Sequence, residues 1–166
     1  MKKNILVFMI PFIILISLFV IGCTKNKNKS DNTEDIFTFT YKDVDVTPGK
    51  EFNSELINEE AEYLELDSCA FEGNDKVYKY EGIEIIVSPI KGKDTIYSIY
   101  FLNDTVQTSE GVKIADEKTI MIEKYGDDYQ FINNKYTYAK SNVELSFIIE
   151  NDVIISIEYT YYTNNT

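Results

Sequence analysis

A chain of 166 residues with 16 lysines, no arginine, no histidine and no tryptophan carries 28 carboxylates and a net charge of −12. That inventory excludes Ser–His and Cys–His nucleophile pairs, imidazole metal ligands and the bidentate arginine fork. A field of this sign also repels nucleic-acid phosphates. The length suits about one domain, and 13 Tyr with 10 Phe make a composition that folds.

The N-terminus sets the expected compartment. Met1-Lys2-Lys3-Asn4 is a short positive start, and Ile5 to Ile21 is apolar except for Ser17, with Pro11 bending the run. A charged start, an apolar stretch and small residues at its exit predict an export signal over residues 1–22. At 17 residues the run sits at the short limit for spanning a hydrocarbon core. Val20-Ile21-Gly22-Cys23 resembles the lipobox of bacterial lipoproteins. The resemblance implies that the Cys23 sulfur takes a diacylglycerol and that the peptide is cut just before it. Two or more acyl chains anchor stably where one does not, so the expected location is the extracytoplasmic face of the cell membrane. Losing Lys2 and Lys3 would leave 14 lysines against 28 carboxylates, a net of −14.

Residues 23–35 then read as the lipidated cysteine and a tether, because Thr24 to Asp35 has no apolar residue. As coil, twelve such residues span roughly 20 Å. Lys25, Lys27 and Lys29 face the membrane end, an order that suits an anionic surface.

The body suggests one unit used twice, residues 36–103 and 104–166, packed as one module. Tyr78-Lys79-Tyr80 matches Tyr136-Thr137-Tyr138, and Ile83-Glu84-Ile85 matches Val143-Glu144-Leu145. Residues 94–101 and 152–159 share the pattern D-x-I-x-S-I-x-[FY]. Upstream, Val44-Asp45-Val46 and Val112-Lys113-Ile114 each precede a predicted helix. The first opens at Thr47-Pro48 and ends at Leu56-Ile57-Asn58. The second opens with Asp116 as N-cap and ends at Lys124-Tyr125-Gly126. Period-two alternation around Ile83–Val87, Val143–Ile149 and Val153–Tyr161 predicts strands with one buried face. Ser88 to Lys93 and Glu150-Asn151-Asp152 read as hairpin turns, and Ile36 to Tyr41 as an added edge strand. The expected fold class is α+β: a mainly antiparallel sheet from two tandem helix-plus-three-strand repeats.

Ser68-Cys69-Ala70-Phe71-Glu72-Gly73, Lys76-x-Tyr78-x-Tyr80 and Asp94-x-Ile96-x-Ser98-Ile99 together resemble a group of small surface lipoproteins of low-GC Gram-positive bacteria. Thr108-x-Glu110-Gly111-Val112-Lys113-Ile114 followed by Tyr125-Gly126 completes the pattern over about residues 43–160. Ala115 and Asn58 stand where the group usually has glycine. The resemblance implies a location, not an activity. More distantly, the helix-then-hairpin duplication resembles the β-lactamase inhibitory protein and the small outer-membrane assembly lipoproteins.

Candidate sites are few. Cys69 would be the only thiol of the folded module, and beside Ala70 and Phe71 it reads as a small buried hydrophobe. Asp116, Glu117, Asp127 and Asp128 lack the spacing of a calcium loop. Glu59, Glu60, Glu62 and Glu65 read as a solvated acidic run. No carboxylate pair stands out for glycoside hydrolysis. The tyrosines offer rigid, uncharged contact area, with Tyr97, Tyr100, Tyr138 and Tyr162 as the expected partner contacts. The expectation is a lipid-anchored, non-catalytic binding module for an extracytoplasmic protein or cell-wall glycan, with no cofactor, no metal and no nucleic-acid partner. The alternative is an inhibitor-type module acting on an exported enzyme, and a carboxylate-based hydrolase comes third.

Overall fold

The computed structural model describes residues 35–57 and 59–163. The predicted signal, Cys23 and nearly all of the tether lie outside them. Strands β1 (Phe39–Tyr41) and β2 (Val44–Val46) form a hairpin, and a single 3-10 turn covers Ser54–Leu56. A first meander follows: β3 (Glu62–Asp67), β4 (Asn74–Tyr80), β5 (Ile83–Ile90) and β6 (Lys93–Phe101). The helix α1 (Lys118–Tyr125) leads into a second: β7 (Gln130–Ile132), β8 (Lys135–Lys140), β9 (Val143–Glu150) and β10 (Val153–Tyr161). The eight strands of the meanders form one antiparallel sheet in the order β3-β4-β5-β6-β10-β9-β8-β7.

This corrects the expected α+β class. The protein is mostly β, with one α-helix among the described residues, and is not built from two helix-plus-three-strand repeats. The first predicted helix does not form, because its backbone groups go to a strand instead. Gly49 N–H donates to the Ile96 carbonyl at 2.8 Å, Ile96 N–H to that of Lys50 at 2.9 Å, and Phe52 N–H to that of Asp94 at 3.0 Å. Gly49 sits at φ +84° and turns the chain out of the helical path opened by Pro48. Only Ser54–Leu56 coils, with the Asn53 side chain accepting from Glu55 N–H at 3.0 Å. The second helix forms, but starts later than expected. Asp116 is not its cap; its carboxylate accepts from Lys113 N–H at 2.9 Å and closes a turn. At the other end Gly126, at φ +80°, donates to the Ile122 carbonyl at 2.8 Å. The predicted edge strand is also displaced: Phe39–Tyr41 pairs with β2 and covers the core.

A duplication is present, but its unit is a four-stranded meander. The motif D-x-I-x-S-I-x-[FY] occupies β6 and β10, and in each its fourth residue, Tyr97 or Ile155, is the extra residue of a β-bulge. The bulge explains the spacing. Ile96 and Ile99 are three apart, as are Ile154 and Ile157, so regular alternation would send each pair to opposite faces. All four are buried, because one inserted residue resets the alternation. The seventh residues, Tyr100 and Glu158, pair directly across β6 and β10, so a pseudo-twofold axis runs through that pair. The upstream segments repeat as well. Ala115 N–H donates to the Ile154 carbonyl at 2.9 Å, as Gly49 does to Ile96, and both residues have positive φ. The tyrosine match shifts by two: Tyr78 opposes Ile85 as Tyr138 opposes Leu145.

Hairpin chemistry holds the register. Lys42-Asp43, Lys91-Gly92, Asn133-Asn134 and Asn151-Asp152 all have paired positive φ, the geometry that matches strand twist in two-residue turns. One sheet face carries Ile83, Ile85, Ile99, Phe101, Leu145, Phe147, Ile157 and Tyr159, all buried. The β1–β2 hairpin and the helix cover it with Phe37, Phe39, Tyr41, Val46 and Met121. Phe39 stands 5.0 Å from Phe101 and 6.0 Å from Tyr159, ring centre to ring centre. Each such side chain removed from water contributes roughly 1.5–3 kcal/mol. The covering layer lies on one side only.

Candidate functional site: the open sheet face

The uncovered face is what the fold presents to a partner. Cross-strand partners share a face, so the pairing register maps it. Glu62, Lys79, Glu84, Tyr100, Glu158, Ser146, Thr137 and Gln130 form one continuous row over all eight strands. Tyr100 and Glu158 are both half-buried at its centre. Burial, and then the hydrogen bond to Glu158, push the Tyr100 phenol up to about 12. It is therefore a neutral donor at any physiological pH. Glu158 also meets Lys135 at 3.7 Å.

Apolar side chains flank this row at both bulges. On one side Leu64, Val77 and Ile86 lead to Tyr97, whose ring meets that of Phe71 edge-on at 5.6 Å. On the other, Ile132, Ile148 and Ile155 occupy the corresponding ground. Leu64 is 58% exposed, Ile132 63% and Ile155 44%. Aliphatic exposure of that size, recurring around an axis, marks a contact surface better than scattered single residues do. The carboxylates of the face are more numerous than its lysines, and Glu84 and Glu144 are half-buried with no hydrogen bond or ion pair to their side chains among the described residues.

Of the four expected contact tyrosines, Tyr97 and Tyr100 lie on this face. Tyr138 belongs to the core: it is 5% exposed and its hydroxyl donates to the Gly126 carbonyl at 2.6 Å. Tyr162 is half-buried at the end of β10, with its hydroxyl donating to the Ser141 carbonyl. Sequence reasoning misses the aliphatic side chains of this face at Ile86, Ile148 and Ile155. For Ile155 the signal is the three-residue isoleucine spacing that requires a bulge; Ile86 and Ile148 come to it only through strand pairing.

Cys69 corrects the expectation of burial: it is exposed and unpaired. Its turn is closed by Ser68, whose hydroxyl accepts from Ala70 N–H at 3.3 Å and Phe71 N–H at 3.2 Å, and Phe71 packs on Tyr97. Among the described residues no three His, Cys, Asp or Glu side chains group as metal ligands.

A separate cleft of about 390 Å³, lined by Thr40, Tyr41, Lys42, Glu81, Thr105 and Val106, adjoins a polar cluster on the covered side. Glu59 accepts from Tyr41 at 2.7 Å and meets Lys42 at 2.8 Å. Lys42, then Tyr41, hold the Glu59 carboxyl below its ordinary range, and Tyr63 and Asn74 do the same for Glu65. A general acid needs the opposite displacement. Near α1, Tyr125 donates to Glu110, and burial pushes the Tyr125 and Tyr159 phenols up. The motif Thr108-x-Glu110-Gly111-Val112 thus forms a turn: Thr108 Oγ1 accepts from Val112 N–H at 3.0 Å, and Glu110 is tied to the helix. Its part in the molecule is structural.

Among the described residues no helix is long and apolar enough to cross a membrane. Comparison with protein-family models, curated proteins and solved structures returned no match.

Proposed function

We propose that the chain is an exported lipoprotein, held at the outer side of the cell membrane through Cys23, whose module binds a protein or cell-wall ligand on the open sheet face without catalysing a reaction. The observation that supports binding is that uncovered face: half-buried Tyr97, Tyr100 and Ile86 around one bulge and exposed Ile148 and Ile155 at the other, on strands whose other side is packed. A rigid sheet presents such groups at little ordering cost. The anchoring half of the proposal rests on the sequence around Cys23. An absence of histidine and arginine, together with carboxyls displaced downward at Glu59 and Glu65, favours binding over hydrolysis.

A second reading, an inhibitor-type module that blocks one exported enzyme, draws on the same rigidity. Photo-crosslinking in cells separates them. A photoreactive residue at Tyr100 or Ile148 should trap a partner, whereas one at Lys124, on the helix of the covered side, should not. A single stoichiometric enzyme favours the inhibitor reading, and peptidoglycan fragments favour wall binding. Equal trapping at all three positions, or none, refutes docking by this face.

A further inference from the structure

The pseudo-twofold axis gives the open face a spacing that a partner must match. Ser98 and Ser156 occupy the same position of the repeated motif, one after each bulge. Ser98 opposes Thr160, four residues beyond Ser156 on the neighbouring strand. With strands about 4.8 Å apart and a rise of about 3.4 Å per residue, the two bulge sites stand about 14 Å apart. The row through Tyr100 and Glu158 crosses midway between them. Each bulge site offers aliphatic surface, Ile86 beside Tyr97 and Ile148 beside Ile155, while the middle row carries three glutamates, Glu62, Glu84 and Glu158, against one lysine, Lys79.

That pattern fits one kind of occupant. Side chains i, i+2 and i+4 of an extended strand point the same way and span about 14 Å. Packed sheets keep their strands within about 30° of each other, so a docked strand lies along β6 and β10 with its outer residues over the bulges and its middle residue over the acidic row. Glu84 lies half-buried in that row opposite Lys79, whose ammonium reaches Glu62 at 3.9 Å, and Glu144 lies half-buried in the adjoining Ser98–Thr160 row; neither carboxylate makes an ion pair among the described residues. Docking takes both carboxylates further out of water, which is costly unless a cation meets them.

We propose that the open face docks a basic protein strand carrying an apolar side chain, a lysine or arginine two residues on, and a second apolar side chain two further on. The proposal rests on the reading of this face as the docking surface and adds the charge and spacing of what docks. A second copy of the chain does not fit, because the same carboxylates would oppose each other. A neutral glycan leaves Glu84 and Glu144 unpaired.

The probe is a phage-displayed, disulfide-closed β-hairpin with the three same-side positions randomised, panned against the full chain in detergent micelles. Selection should enrich Lys or Arg at the central position at least tenfold, with aliphatic or aromatic residues outside it. Against the Glu84→Gln/Glu144→Gln double variant, whose parent side chains make no hydrogen bond or ion pair among the described residues, the central preference should fall to background. Against Ile86→Ser/Ile148→Ser the outer preference should vanish. If the outer preference survives but no central cation is selected, or if the cation is still selected by the double variant, the basic strand is wrong while docking by this face stands. If no hairpin is selected at all, the proposal also fails, and the crosslinks from Tyr100 then decide separately whether the face docks anything. A Tyr100 crosslink to the chain itself assigns the face to a second copy and overturns the proposal.

Discussion

Gly49 and Ala115 make the same contact in the two halves of the molecule, yet opposite substitutions should move stability in opposite directions. Both donate to the carbonyl of the motif isoleucine, and both hold positive φ, +84° and +74°. An L-residue pays about 1–2 kcal/mol in this region, while glycine gives back about 0.4–1 kcal/mol through its freer unfolded state. Ala115 is exposed, so its methyl group packs nothing. Ala115→Gly should therefore stabilise by about 0.5–1 kcal/mol, a rise in Tm of about 2–4 °C for a domain this size. Gly49→Ala adds the backbone cost and places a Cβ 2.7 Å from the Tyr161 ring. With overpacking at about 1–3 kcal/mol, the loss should be about 2–4 kcal/mol. Urea unfolding measures both, read as midpoint shifts at constant slope. If the two substitutions shift the midpoint in the same direction, the equivalence of the two positions and the strain assigned to Ala115 are both wrong.

Other consequences follow from the bulges, the phenols and the thiol. Deleting Ile155 should leave unfolding cooperative, because Ile154 and Ile157 then stand two apart and regular alternation keeps both in the core, and Ile155→Ala at a 44% exposed site should change stability by less than about 1 kcal/mol; a deletion variant that no longer folds would contradict the bulge assigned to Ile155. Tyr100 and Tyr138 are both raised to about 12 from an ordinary 10.0. Since the fold favours the neutral phenol, that contribution is complete below pH 10 and is lost as the pH climbs toward 12. Phenolate absorbance of the native protein should show late-titrating tyrosines, one fewer in Tyr100→Phe; all 13 titrating together near pH 10 would contradict the burial assigned to them. Cys69, exposed on its turn, should react with a thiol reagent in the native protein nearly as fast as in urea; strong protection would restore the buried reading.

Sequence reasoning reached the strands that alternate and missed the segments that do not. Val143–Glu150 shows its buried face in every second residue, and the two long hairpins carry turn residues that tolerate positive φ. The strand Glu62–Asp67 is exposed along its whole length, so no hydrophobic pattern marks it, and it reads as an acidic run. Thr47-Pro48 carries a sound helix-start signal, yet the free backbone groups beside β6 compete for the same residues and win. The repeat was visible in D-x-I-x-S-I-x-[FY], but its geometry was not: an isoleucine pair three apart suits a helix turn as well as a bulged strand. For the candidate site, Tyr97 and Tyr100 were legible as strand tyrosines outside the core. The aliphatic half depends on two long-range strand pairings, which local sequence does not encode.

The functional account stands or falls on where the module is held. Growing cells with a labelled fatty acid and separating detergent from aqueous phases tests this for the wild-type chain and for Cys23→Ser. The wild type should carry label and enter the detergent phase, and the variant should carry none and either partition to water or persist as the longer precursor. A Cys23→Ser protein that still takes label, or that stays in the detergent phase at its mature size, contradicts the lipid anchor.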